Sequence, residues 1–202
     1  LQRPVRQLMV CQREEKQAMS DEMIIRHCSP TLAGLKTGSL FSCEYTSERE
    51  VKESVQRLNQ RLRPRGLRVL PMRIGGRRAL IYLYRPARLR RDLESEEARS
   101  LLAERGYPCD DPDRCVVQLA RRLRAQPDFP HEIGVFLGYP PEDVRGFIEN
   151  GAKCCKCVGC WKVYGDVQAA QKRFAQFRKC NGIYRAQWES GKPIEKLAVA
   201  SH

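Results

Sequence analysis

Nowhere does the chain hold an apolar run near the roughly 20 residues that a membrane span requires. The stretch from Leu1 to Met23 alternates polar and apolar residues and lacks the uninterrupted apolar core of a signal peptide. A Gly-rich phosphate loop, a G-x-S-x-G elbow and an H-E-x-x-H pair are all missing. With them go the usual signatures of P-loop nucleotide binding, α/β-hydrolase chemistry and zinc proteolysis. No internal repeat or low-complexity linker divides the 202 residues, and that length suits one domain over 1–202. The ten cysteines are about 5% of the chain, short of a disulfide scaffold. A chain of this size buries enough core without staples. The expectation is a cytoplasmic protein with no membrane segment, whose cysteines are free thiols or thiolate ligands.

What is abundant is positive charge, and it is unevenly placed. Lys52, Arg57, Arg61, Arg63, Arg65, Arg68, Arg73, Arg77, Arg78, Arg85, Arg88, Arg90 and Arg91 face a single acid, Glu53, between Val51 and Arg91. Nearly all of the net charge of +13 lies there. Such a field attracts an acidic protein, an anionic small molecule or nucleic acid. It is also what a solvated arginine-rich face looks like.

Ser47 and Glu50 form a capping-box signature ahead of Val51, Val55, Leu58 and Leu62, which predicts an amphipathic helix ending near Pro64-Arg65-Gly66. Leu67 to Arg73 and Arg78 to Tyr84 flank Gly75-Gly76, the pair that tolerates the positive φ of a tight hairpin turn. Helices are expected again at Ser95 to Arg105, stopped by Gly106, and at Asp113 to Ala125. Trp161 to Tyr164 reads as a short strand. Asp166 then caps a long helix whose apolar stripe runs Val167, Ala170, Phe174, Phe177, Cys180, Tyr184, Trp188, with Asn181-Gly182 a point of kinking or splitting. The fold class expected is α+β, a small sheet of three to five strands built around the hairpin and packed by helices.

Cys154, Cys157 and Cys160 have C-x2-C-x2-C spacing, which holds three corners of an iron–sulfur cluster; the last two alone suit a tetrahedral zinc. Both readings need a fourth ligand, with Cys180, Cys109 and Cys115 as candidates. A redox dithiol is the third option, since Lys153 and Lys156 favour thiolates, and exposed or packed thiols the plainest. His131 to Asn150 has the spacing of a helix-turn-helix, with Gly134 and Gly138 where close packing needs small residues. Its second helix opens on Pro140, Pro141, Glu142 and Asp143, carboxylates that phosphate repels, so a structural αα-corner is the better reading and nucleic-acid binding the alternative. A thiol-dependent enzyme is another: Cys28 as nucleophile and His131 as base, with Glu132 as the carboxylate of the set. Burial of Cys28 in a core is the simpler expectation for that residue.

Three stretches, His27-Cys28-Ser29-Pro30-Thr31-Leu32-Ala33-Gly34-Leu35-Lys36, Phe129-Pro130-His131-Glu132-Ile133-Gly134-Val135-Phe136-Leu137-Gly138-Tyr139-Pro140 with Glu142-Asp143-Val144, and Trp161-Lys162-Val163-Tyr164-Gly165-Asp166, carry a resemblance. Together they are similar to the short bacterial proteins of domain-of-unknown-function family thirty-seven ninety-three, common in anaerobes. The resemblance spans nearly the whole chain and brings no established activity with it. It directs attention to the polar residues of those blocks: His27, Cys28, Lys36, His131, Glu132, Lys162 and Tyr164. The cofactor-binding set expected is His27, Lys36, Lys162 and Tyr164 with Arg85 from the basic stretch, serving an accessory or binding protein in redox or metal metabolism that engages an anionic cofactor or acidic partner through its basic face.

Overall fold

The computed structural model describes residues 19–125 and 129–200. Its centre is an antiparallel sheet of three strands, β1 (Gly38–Glu44), β2 (Arg68–Gly75) and β3 (Arg78–Tyr84), in the order β1-β3-β2. Strand β3 is central and reads Ala-Leu-Ile-Tyr-Leu-Tyr after its first residue, the near-continuous apolar run of a strand covered on both faces. Ala79, Ile81 and Leu83 point to one layer, Tyr82 and Tyr84 to the other. That alternation sets the register, since a slip of one residue would exchange the faces. The hairpin turn therefore falls at Gly76-Arg77, with φ of +60° and +64°, one residue beyond the Gly75-Gly76 pair expected from sequence. A bulge after Pro71 turns Met72 into the core.

The first layer holds α1 (Asp21–Leu32), α2 (Glu48–Leu62) and the short α9 (Ile194–Leu197). Ser47 caps α2 as expected, accepting from the Glu50 amide at 3.2 Å, while the Glu50 carboxylate reaches the Thr46 amide at 2.9 Å. Helix α1 was not foreseen: Pro30 lies inside it, but in its last turn, where Ser29 Oγ donates to the Ile25 carbonyl. The second layer holds α3 (Pro86–Asp92), α4 (Glu96–Ala103), α5 (Pro112–Ala125), the single turn α6 (Ile133–Phe136) and α7 (Pro141–Asn150). Tyr82 crosses this layer to donate to the Phe136 carbonyl at 2.5 Å.

A ribbon of β4 (Cys157–Val158) and β5 (Lys162–Val163) packs Trp161 and Val163 on α8 (Val167–Glu189), against Ala170, Phe174 and Phe177. Asp166 caps α8 by accepting from the Ala169 amide at 3.0 Å. Asn181-Gly182 neither splits nor ends α8, whose stripe continues past it into Tyr184 and Trp188 on the α1 side. Among the described residues no helix is long and apolar enough to cross a membrane.

Candidate functional site

The three motif blocks meet at Tyr139. After α1 the chain reverses: the amides of Leu35 and Lys36 both donate to the Pro30 carbonyl, at 2.9 and 3.1 Å. This sends Lys36 and Thr37 toward the α6–α7 corner. Gly138 there has φ +76°, and a Cβ on it would stand 2.6 Å from Thr37 Oγ1, so both conformation and space require glycine. The Lys36 ammonium lies 5.3 Å from the centre of the Tyr139 ring. Trp161 stacks on Tyr139 with centroids 4.9 Å apart. Burial pulls the Lys36 ammonium below its usual range, opposed by the neighbouring Cys28 and Cys160 thiols.

Asp143 joins the second block to the third. It is buried, and Oδ1 accepts from the backbone amides of Tyr164 at 2.7 Å and Gly165 at 2.8 Å. Its Oδ2 accepts from Trp161 Nε1 at 2.7 Å. Three donors thus replace the water that a buried carboxylate would lose. The ribbon is held so that Trp161 and Lys162 face α6 and α7.

Between them lies a cleft of about 280 Å³, walled by Phe129, Tyr139, Val144, Phe147 and Trp161, with His131, Lys162 and the clamped Asp143 as its polar residues. The His131 ring meets Phe147 edge-on at 4.8 Å, and Lys162 Nζ stands 5.2 Å from the same ring. Lys162 makes no ion pair among the described residues. Apolar walls with a few convergent polar groups are the usual composition of a small-molecule site.

Of the residues singled out from sequence, Lys36, His131 and Lys162 come to this region, and Tyr164 borders it, its hydroxyl turned away to the Gly151 carbonyl. The others are engaged elsewhere. Cys28 is fully buried in the layer of α1, while His131 stands beyond the opposite face of the sheet, so no thiol–imidazole pair forms. Burial pushes the Cys28 thiol up to about 12, the reverse of an activated nucleophile. Glu132 does not orient His131: its carboxylate accepts from the Tyr107 hydroxyl at 3.0 Å and pairs with Arg122 at 3.1 Å. Arg85 is not offered to a cofactor either. It donates to the carbonyls of Thr31 (2.7 Å) and Leu32 (2.6 Å), at the C-terminal end of α1, and to that of Val199 (2.8 Å). A guanidinium suits the unsatisfied carbonyls and negative dipole end of a helix. His27 is exposed and stacks on Phe41 at 5.7 Å.

Among the described residues no three His, Cys, Asp or Glu side chains converge as a metal site. Cys157 packs against the Trp161 core, Cys160 neighbours Lys36 and Arg178, and Cys154 and Cys155 neighbour Tyr164. The ribbon's turn thus spreads the thiols over different surroundings, and Cys180 is buried in the stripe of α8. The helix-turn-helix reading also fails on geometry. Its first helix is one turn long, and Asp143, Val144 and Gly146 of the second are covered, the last by the Tyr164 ring. An αα-corner is what forms.

Sequence reasoning passed over Tyr139, Asp143, Phe147 and Trp161 as site residues. Their signal was present, since all lie in or beside the motif blocks, but Asp143 read as a surface carboxylate. No curated protein and no solved structure matches the chain. The model of one family, described as Protein of unknown function (DUF3793), matches residues 24–198, and the chain belongs to that family.

Proposed function

We propose that the chain is a binding protein for an anionic small molecule with a flat, apolar body. The body would lie against Phe129, Tyr139, Phe147 and Trp161, and the acidic group would meet Lys162 and His131. The observation that carries this reading is the pairing, in one cleft, of aromatic walls with a lysine that makes no ion pair among the described residues, the cleft's own carboxylate, Asp143, being taken up by three N–H donors. The volume of about 280 Å³ suits a compact ligand, near the lower end of drug-sized sites. A cytoplasmic setting fits the described cysteines, all of them free thiols.

An anionic naphthalenesulfonate dye serves as the probe, followed by its own fluorescence and by quenching of Trp161. Losing a charge-assisted contact costs about 1.5–3 kcal/mol, so Lys162→Glu is expected to weaken binding by roughly tenfold or more. Lys52→Glu, the same charge change on exposed α2, is the control for overall field. Equal effects of the two substitutions, or none from Lys162→Glu, would remove the proposal.

A further inference from the structure

Cys109 and Cys115 stand apart from the cleft, in the loop ahead of α5 and in its first turn. The Cys109 sulfur lies 3.4 Å from the Tyr107 carbonyl oxygen, and the Cys115 sulfur lies 3.2 Å from that of Pro108. These carbonyls belong to successive residues, so both sulfurs gather at one turn of chain, where the two thiols are electrostatic neighbours. The two differ in access. Cys109 is half-buried and lines a shallow depression with Glu94, Arg99 and Ala103, whereas Cys115 is fully buried behind it. A reachable sulfur backed by an enclosed one is the arrangement of an attacking thiol and a resolving thiol.

We propose that Cys109 and Cys115 are a reversible dithiol–disulfide site that reacts with low-molecular-weight disulfides of the glutathione class. Cys109 loses its proton to solvent, and its thiolate attacks one sulfur of the reagent. The reagent S–S bond breaks, one thiolate leaves and is protonated, and a mixed disulfide remains on Cys109. Cys115 then gives up its proton and attacks the Cys109 sulfur, which expels the second reagent thiolate. Two protein thiols are oxidised to one disulfide, and the reagent disulfide is reduced to two thiols.

Access assigns the roles: the half-buried Cys109 meets the reagent, and the enclosed Cys115 resolves the mixed disulfide. Burial raises both thiols, so the exchange is slow at neutral pH and quickens as pH rises. The bridge ties the first turn of α5 to the loop carrying Tyr107, whose hydroxyl holds Glu132 beside His131.

The test uses the full chain, incubated with oxidised glutathione at mildly alkaline pH, alkylated, digested with trypsin without reduction and read by mass spectrometry. Trypsin cuts after Arg105, Arg114 and Arg121, so peptides 106–114 and 115–121 separate unless a disulfide joins them. The joined pair is expected to accumulate and to disappear with dithiothreitol. Cys109→Ser should abolish it, and Cys115→Ser should leave glutathione trapped on Cys109. Exposed Cys160 reports that the reagent is active. The proposal is overturned if the native chain keeps glutathione on Cys109, joins Cys109 to a cysteine of the 154–160 cluster, or leaves both peptides separate while Cys160 is modified.

Discussion

Replacing Asp143 by asparagine tests the clamp that assembles the cleft. The two carboxylate oxygens do different work: Oδ1 takes the amides of Tyr164 and Gly165, and Oδ2 takes Trp161 Nε1. Asparagine keeps the shape and one carbonyl oxygen. That oxygen can still serve the two backbone amides, but the side-chain NH2 then faces the indole N–H, donor against donor. One buried donor is left unsatisfied, at about 1–3 kcal/mol, and the remaining bonds lose their charge assistance. Asp143→Asn should therefore destabilise by roughly 2–4 kcal/mol, a large part of the ~5–15 kcal/mol that holds a domain of this kind. Trp161→Phe removes the indole N–H, so in that background the same change costs less.

Urea unfolding of the four proteins of this double-mutant cycle, followed by far-ultraviolet circular dichroism, gives the coupling directly. An interaction energy of about 1–2 kcal/mol is expected, with Asp143→Asn milder in the Trp161→Phe background than in the native chain. Additive effects within about 0.5 kcal/mol would refute the reasoning, because the clamp would then not depend on the indole.

Gly182→Ala should stabilise the chain by roughly 0.5–1 kcal/mol, since Gly182 lies inside α8 and a Cβ there meets nothing within 4 Å; a lower urea midpoint would show that α8 needs flexibility at that point. The Arg61 guanidinium, bonded to Asp21 and Glu195, holds the Glu195 carboxyl below its usual range. Its stabilising contribution is full above the titration of an unfolded glutamate and lost as pH falls through the lowered folded value. Glu195→Gln should therefore narrow the stability difference between neutral and acidic pH, and an unchanged difference would place that acid sensitivity elsewhere.

Elements written in local signals were legible: the Ser47 and Asp166 caps, the hairpin and the stripe of α8 each rest on residues a few positions apart. The turn moved by one residue because strand register answers to the core, and the core is not local. Helix α1 carries Pro30, which would break a helix interior but costs little in the last turn, where it stands. The arginines were the least legible. Arg61 finds Asp21 and Glu195, and Arg85 finds α1 carbonyls, across separations that only the fold supplies. Asp143 shows the same thing at the site: its partners lie 18 to 22 residues on, so its sequence neighbourhood made it a surface charge and the fold made it a buried acceptor.

That redistribution of charge also changes what the basic stretch can do for a ligand. Arg61, Arg68 and Arg78 pair with acids, and Arg73, Arg85 and Arg88 donate to carbonyls within the molecule. The exposed cations include Lys52 on α2, Arg63 in the turn after it, Arg77 at the hairpin tip and Arg90 and Arg91 around the end of α3. They are spread over α2, the turn after it, the hairpin tip and α3, and a matched acidic interface asks for charges gathered in one place. A summed field asks for no such gathering: it raises the encounter rate of any anion and is screened over about 10 Å at ordinary salt. Under the proposed function the two contributions separate. Distant cations set how fast an anion arrives and how strongly salt slows it, while Lys162, His131 and the aromatic walls set how long it stays.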